Sequence, residues 1–232
     1  MVEVALRGLT PSQLPNGPDT VWEFVNKSMR DTPAKCYFQK VAKEPQPPVW
    51  YLSHTWSLQL SMVRATVHDH ARLRGFSAKS SPYWDVAFAI TWGSHEKELG
   101  MTNSACHPEG VLKQVMKRCQ GMLVLSEMKP KGKSSPSGYF TRPWCCFEAF
   151  LAVSETKVKV DVGSMHEGAP TVVLEGFSLA EEALIDEDGP RLAFRNKENR
   201  EATFPMPVLR EGMEVQVQAG MQKGTEGALD LE

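Results

Sequence analysis

One carboxylate is set apart by its neighbours. In TRPWCCFEAFLAVSE, every residue from Trp144 to Val153 is apolar except Glu148. Thr141 suits a helix N-cap and Pro143 a first turn, so the spacing predicts a helix from about Pro143 to Glu155. A helix that is apolar all round is buried. A buried carboxyl has its pKa pushed upward unless a partner holds the charge. Trp144 lies four residues before Glu148 and shares its face. A carboxylate beside an indole, at the mouth of a cleft, can hold a flat ring and a sugar hydroxyl. The structural alternative is that Glu148 bonds a backbone amide or an arginine such as Arg142.

Other reactive residues point less sharply. Cys145 or Cys146 at a helix start could act as a nucleophile with His54 as base, but adjacent cysteines in an apolar helix more often pack. His68 and His70 are two apart, and Cys106 adjoins His107. Neither spacing repeats as a metal site requires, so no metal is expected. No phosphate-binding glycine loop is present. Asp85 is the one charge in YWDVAFAI. Pairing with a lysine or a helix end is its simplest role.

These side chains need elements to position them. VWYLS, from Val49, reads as a buried strand that ends in the polar SHTWS. Trp56 to Arg74 carries Leu60, Val63 and Val67 at helical spacing, and Gly75 offers a stop. YWDVAFAI (83–90) is a second strand candidate. Pro108 opens a helix with the stripe Val111, Leu112, Val115, Met116 and Cys119. GMLVLSE (121–127) is a continuous apolar strand. VKVDV (158–162) and TVVLEGF (171–177) supply one or two more. Strands and helices alternate, and the strands lack polar alternation, as buried parallel strands should. The expected fold is α/β: a doubly wound, flavodoxin-like parallel sheet with helices on both faces. Ligands of such sheets bind beyond the carboxyl ends of the strands. SHTWS, TWGSHEKE and SEMKPKG fall at those ends.

Flanking segments are expected around this domain. Residues 1–47 read as a proline-punctuated extension with one helix, Thr20 to Met29. Residues 48–178 form the α/β domain. Residues 179–232 read as a second extension, partly disordered: an acidic helix over 178–188, a β-like charged stretch over 191–220 and a polar end.

Composition limits the function classes. The chain has 232 residues, 41% hydrophobic and 23% charged, with a formal charge of −2. Nucleic-acid binding by bulk charge is not expected. The one tight basic cluster, Lys129, Lys131 and Lys133, sits in a Pro/Gly/Ser loop. No apolar run reaches the roughly 20 residues of a membrane helix. The start, MVEVALRGLT, lacks the basic and apolar regions of a secretory signal. Five cysteines, two of them adjacent, suit reduced thiols in the cytoplasm.

The succession YLSHTWS, YWDVAFAI, GMLVLSE and YFTRPWCCFEAFLAV resembles a Toll/interleukin-1 receptor (TIR) domain, and more closely the divergent TIR-like domains of protists and algae. The resemblance spans about residues 48–165 and is most specific at Trp144, Cys145, Cys146, Phe147 and Glu148. It implies two functions. One is NAD cleavage, with release of nicotinamide. Glu148 would be the catalytic carboxylate beside the ribose, where oxocarbenium character develops. Trp144, Trp56 and Trp92 would line the ring pocket, Ser53 and His54 would contact ribose or phosphate, and Asp85 would end the second strand near the cleft. NAD would be a substrate, and no separate cofactor is implied. The other is a non-enzymatic signalling module that self-associates through the loop after the second strand and neighbouring helices. A catalytic Glu148 should face an open cleft near residues 53–56. A structural one should be sealed by partners.

Overall fold

The apolar runs WYLS and GMLVL lie side by side at the middle of a sheet. The structure, a computed structural model, describes residues 4–94, 98–99, 109–127, 138–206 and 208. Its sheet has five strands among those residues: β1 (Trp50–Ser53), β2 (Tyr83–Asp85), β3 (Gly121–Leu125), β4 (Lys159–His166) and β5 (Ala169–Val173). They lie in the order β2-β1-β3-β4-β5. The first four run parallel, with Trp50 opposite Tyr83, Ser53 opposite Val124 and Leu125 opposite Gly163.

Helices form before, between and after the strands, where the apolar spacing changes from continuous to 3.6. They are α1 (Val21–Ser28), α2 (Tyr37–Val41), α3 (Leu60–Leu73), α4 (Val86–Ala89), α5 (Glu109–Met116), α6 (Pro143–Phe150), α7 (Leu179–Asp188) and α8 (Pro190–Glu201). Successive residues of a strand point to opposite faces, and β1 shows it. Leu52 packs with Leu60, Val63 and Val67 of α3 in one core cluster. Tyr51 packs with Leu112 and Val115 of α5 and Cys145 of α6 in the other. Both faces of the sheet are therefore covered.

Three sequence expectations change. The strand expected over 83–90 ends at Asp85, and residues 86–89 are helical. The Asp85 carboxylate accepts from the Ala87 amide at 2.9 Å, which caps a helix and ends a strand. The sheet is not wholly parallel either, because β5 pairs antiparallel with β4. Only Glu167 and Gly168 join the two strands, both at positive φ (50° and 81°). Two such residues make a tight hairpin, whereas a parallel return needs a crossover of a dozen residues or more. Finally, the stretch read as β-like from Arg191 begins as helix α8. Its later part, 209–220, and the polar end lie outside the described residues.

The flanking segments pack onto the sheet. Leu9 and Tyr83 exchange two backbone hydrogen bonds of 2.7 Å, so residues before α1 lie along the edge of β2. Leu9, Leu14, Val21, Val25, Tyr37 and Phe38 enter the α3-side core. α1 starts at a Thr20–Glu23 capping box, and α2 is a second short helix in the segment expected to hold one. At the other edge, Arg200 of α8 donates to the Val172 carbonyl of β5 at 2.9 Å.

A buried ionic knot ties α3 to β4. Asp161 accepts from Arg74 at 2.6 and 2.9 Å, from His70 Nε2 at 2.7 Å and from the Glu175 amide at 2.8 Å. His70 Nδ1 then accepts from the Tyr83 hydroxyl at 2.7 Å. Burial alone would raise the Asp161 carboxyl, but the hydrogen bonds and charges of His70 and Arg74 outweigh it and hold the pKa below the usual value. Burial lowers that of His70, which outweighs the pull of Asp161. The imidazole is thus neutral.

Candidate functional site

The carboxyl ends of β1, β2 and β3 bring the polar groups together. Ser53 closes β1, Asp85 closes β2, and Ser126 follows β3. β1 and β3 flank the point where the strand order reverses, the usual ligand position in such sheets.

Glu148 reaches this end from α6. Its first turn is set by Pro143, and Tyr139–Thr141 form a 3-10 turn just before it. Tyr51 and Ser53 are two apart in β1 and so share the α6 face. The Tyr51 hydroxyl donates to Glu148 Oε1 at 2.5 Å, and Ser53 Oγ is hydrogen-bonded to Oε2. Ser53 Oγ also meets the Tyr139 hydroxyl at 2.8 Å, and that hydroxyl donates to the Cys145 carbonyl at 3.0 Å. Glu148 is buried, 1% exposed. Burial drives its pKa up to about 7, against the opposing hydrogen bonds of Ser53 and Tyr51 and the charge of His54.

His54 and Asp85 form a second buried group beside it. His54 Nε2 meets Asp85 Oδ2 at 2.8 Å, and His54 Nδ1 donates to the Thr55 carbonyl at 2.9 Å. Burial pulls the His54 pKa down, but the charge and hydrogen bond of Asp85 outweigh it and leave it raised. The ring is thus clamped at both nitrogens, between the Thr55 carbonyl and the Asp85 carboxyl. Asp85 therefore serves both a histidine and a helix end.

The tryptophans divide. Trp56 and Trp92 come together, 6.4 Å between ring centres, but Trp22 of α1 packs on both, stacked on Trp56 at 5.8 Å and tilted against Trp92 at 5.1 Å. At those separations the rings fill one another's faces, and no ring-sized slot lies between them. Trp144 packs instead on Phe147 at 5.8 Å. Glu148 and Ser53 thus meet directly and His54 pairs with Asp85 alongside, while the indoles sit in two separate groups.

Several members of the site escaped the sequence reading. Tyr51 carried a usable signal, because a residue two before Ser53 in a strand must face the same way. Trp22 and Tyr139 carried none, since their meetings with the site are long-range. Ser126 is also buried, and its hydroxyl finds no partner among the described residues. The Glu127 carboxyl beside it is raised by burial. Residues 95–97, 100–108 and 128–137 of the neighbouring loops, including the lysine cluster and Cys106–His107, lie outside the described residues.

The thiols are poorly placed for nucleophilic work. Burial pushes Cys145 well above the usual thiol range and raises Cys146. Among the described residues, no three His, Cys, Asp or Glu side chains gather as a metal ion would require. No helix among them is long and apolar enough to cross a membrane. A shallow hollow of about 520 Å³, lined by His68, Asp69, Arg72 and Phe76, lies on the α3 side of the sheet, opposite Glu148.

No family model, curated protein or solved structure matches this chain.

Proposed function

We propose that this chain is a TIR-like, flavodoxin-like α/β module that acts by association with further copies of itself rather than by catalysis. The strand order 2-1-3-4-5 is that of doubly wound flavodoxin-like sheets and supports the architecture. The observation that carries the non-catalytic reading is the closure of Glu148. Both carboxyl oxygens are engaged, and the residue is 1% exposed. A carboxylate that must meet a ribose needs a free oxygen and an approach. The outer side of this segment supports association. On α6, Phe150 is 53% exposed and Trp144 and Phe147 are only half-buried, and Val153, in the π-helical turn Leu151–Thr156 that continues α6, is 61% exposed. An apolar strip of this kind on a surface helix favours contact with protein.

The test is nicotinamide release from NAD by concentrated protein, with sedimentation of the same samples. Association should rise with concentration and weaken about tenfold or more in Phe150→Asp, as expected for loss of a central aromatic contact. No nicotinamide should appear at any concentration.

One observation favours the second reading, NAD cleavage. Glu148 is a carboxyl raised to about 7 beside the end of β1, the pKa range of a working acid–base group. In that reading Glu148 leaves Tyr51 and Ser53 to reach the ribose, with Ser53 and His54 nearby. Trp56 and Trp92 would have to separate from Trp22, and Trp144 from Phe147. Nicotinamide release lost in Glu148→Ala, with the fold kept, would establish it and overturn the first.

A further inference from the structure

Four hydrogen-bond contacts run in series from β1 into α6. Tyr51 Oη meets Glu148 Oε1, Glu148 Oε2 meets Ser53 Oγ, Ser53 Oγ meets Tyr139 Oη, and Tyr139 Oη meets the Cys145 carbonyl. Each contact needs one proton, and the three hydroxyls supply three. Tyr51 uses its proton on Oε1. The Cys145 carbonyl can only accept, so Tyr139 donates there. Ser53 must then donate to Tyr139, and its contact with Glu148 has no proton left. A proton on Glu148 Oε2, donated to Ser53 Oγ, supplies the missing one. All four side chains are buried, where an unfilled hydrogen bond is costly.

We propose that Glu148 is protonated in the folded protein and that its proton completes this chain, which makes the junction of β1 and α6 a pH-sensitive latch. Ionisation leaves three protons for four contacts. Ser53 turns to the carboxylate, and Tyr139 must choose between Ser53 and the Cys145 carbonyl. The first turn of α6 then loses one of its ties to β1. The latch is independent of whether the chain associates or cleaves NAD.

The titratable groups facing Glu148 are Tyr51 on β1, His54 just after it, Asp85 at the end of β2, Tyr139 before α6 and Cys145 on α6. Burial raises Tyr51, Tyr139 and Cys145 far enough to keep them neutral throughout. The His54 charge favours the ionised carboxylate and Asp85 opposes it. The Glu148 pKa, raised from 4.5 to about 7, lies where this latch would act. The stabilisation it brings is complete below pH 4.5, where the unfolded carboxyl is also protonated. It is lost as pH rises to about 7 and is constant above.

The experiment compares thermal unfolding of the full chain and its Glu148→Gln variant from about pH 5 to about pH 8. Glutamine offers an N–H to Ser53 and a carbonyl to Tyr51, so it copies the protonated state without titrating. The wild-type midpoint should fall by several degrees relative to the variant as pH rises to neutrality, and then run level with it. A difference that does not change with pH, or that changes in the opposite sense, overturns the proposal. Infrared spectra of the wild type give a second readout that needs no variant. The carbonyl band of a buried, protonated carboxyl should be present at the acid end and vanish through neutrality. Its absence at the acid end overturns the proposal even if the variant does not fold.

Discussion

Asp161 and Glu148 are both buried acids, and their partners differ in charge. Asp161 meets the Arg74 guanidinium through two nitrogens and stays ionised. Glu148 meets only hydroxyls, which cannot supply a compensating charge, so burial raises it. Removing either acid strands its partners. Asp161→Ala leaves Arg74 and His70 without their acceptor and should destabilise the fold by about 3–5 kcal/mol, read from denaturant unfolding at neutral pH. The Asp161 pKa is lowered from 3.8, so its contribution is present above that pH and is lost as pH falls below it. The wild type should therefore lose more stability in acid than the alanine variant does.

At the scale of elements, local chemistry stops strands and close approach fixes their spacing. Asp85 ends β2 by capping α4, and the Glu167–Gly168 turn sends β5 back beside β4. Gly163 of β4 lies under α3, where an added Cβ would stand 2.4 Å from Thr66 Cγ2 and 3.0 Å from Leu125 Cδ2. Gly163→Ala must push the helix away from the sheet or displace Thr66. It should lower stability by about 1–3 kcal/mol, the usual range for overpacking. Unfolding midpoints of the two proteins in urea check this.

The whole molecule joins its edges to its ends. The residues around Leu9 pair with β2, and Arg200 of α8 bonds β5. Open sheet edges invite pairing with other chains. A fragment of residues 48–178 exposes both edges and loses the apolar cover given by Leu9, Leu14, Val21 and Val25. It should express as aggregate or lack cooperative unfolding, while residues 4–208 should stay soluble. Soluble yield and circular dichroism on heating distinguish the two.

Much of the architecture was readable in order along the chain. WYLS and GMLVL read as buried strands from their short continuous apolar runs, and the stripes of α3 and α5 follow from spacing within one segment. The burial of Glu148 follows as well, since its neighbours within one helical turn are all apolar, but the same rule would bury the whole segment, whereas Phe150 and Val153 face outward because the sheet and α5 cover only one side of it. These features depend on local periodicity, which a sequence carries directly. What lay beyond it depends on residues distant in sequence. No spacing says that Tyr51, 97 residues away, takes one oxygen of Glu148. None says that Trp22 fills the faces of Trp56 and Trp92, or that α8 meets β5. Residue types and intervals determined the α/β class and the acid in an apolar helix. Tertiary packing alone decided whether that acid met solvent, because the groups that close over it come from β1 and from the turn before α6.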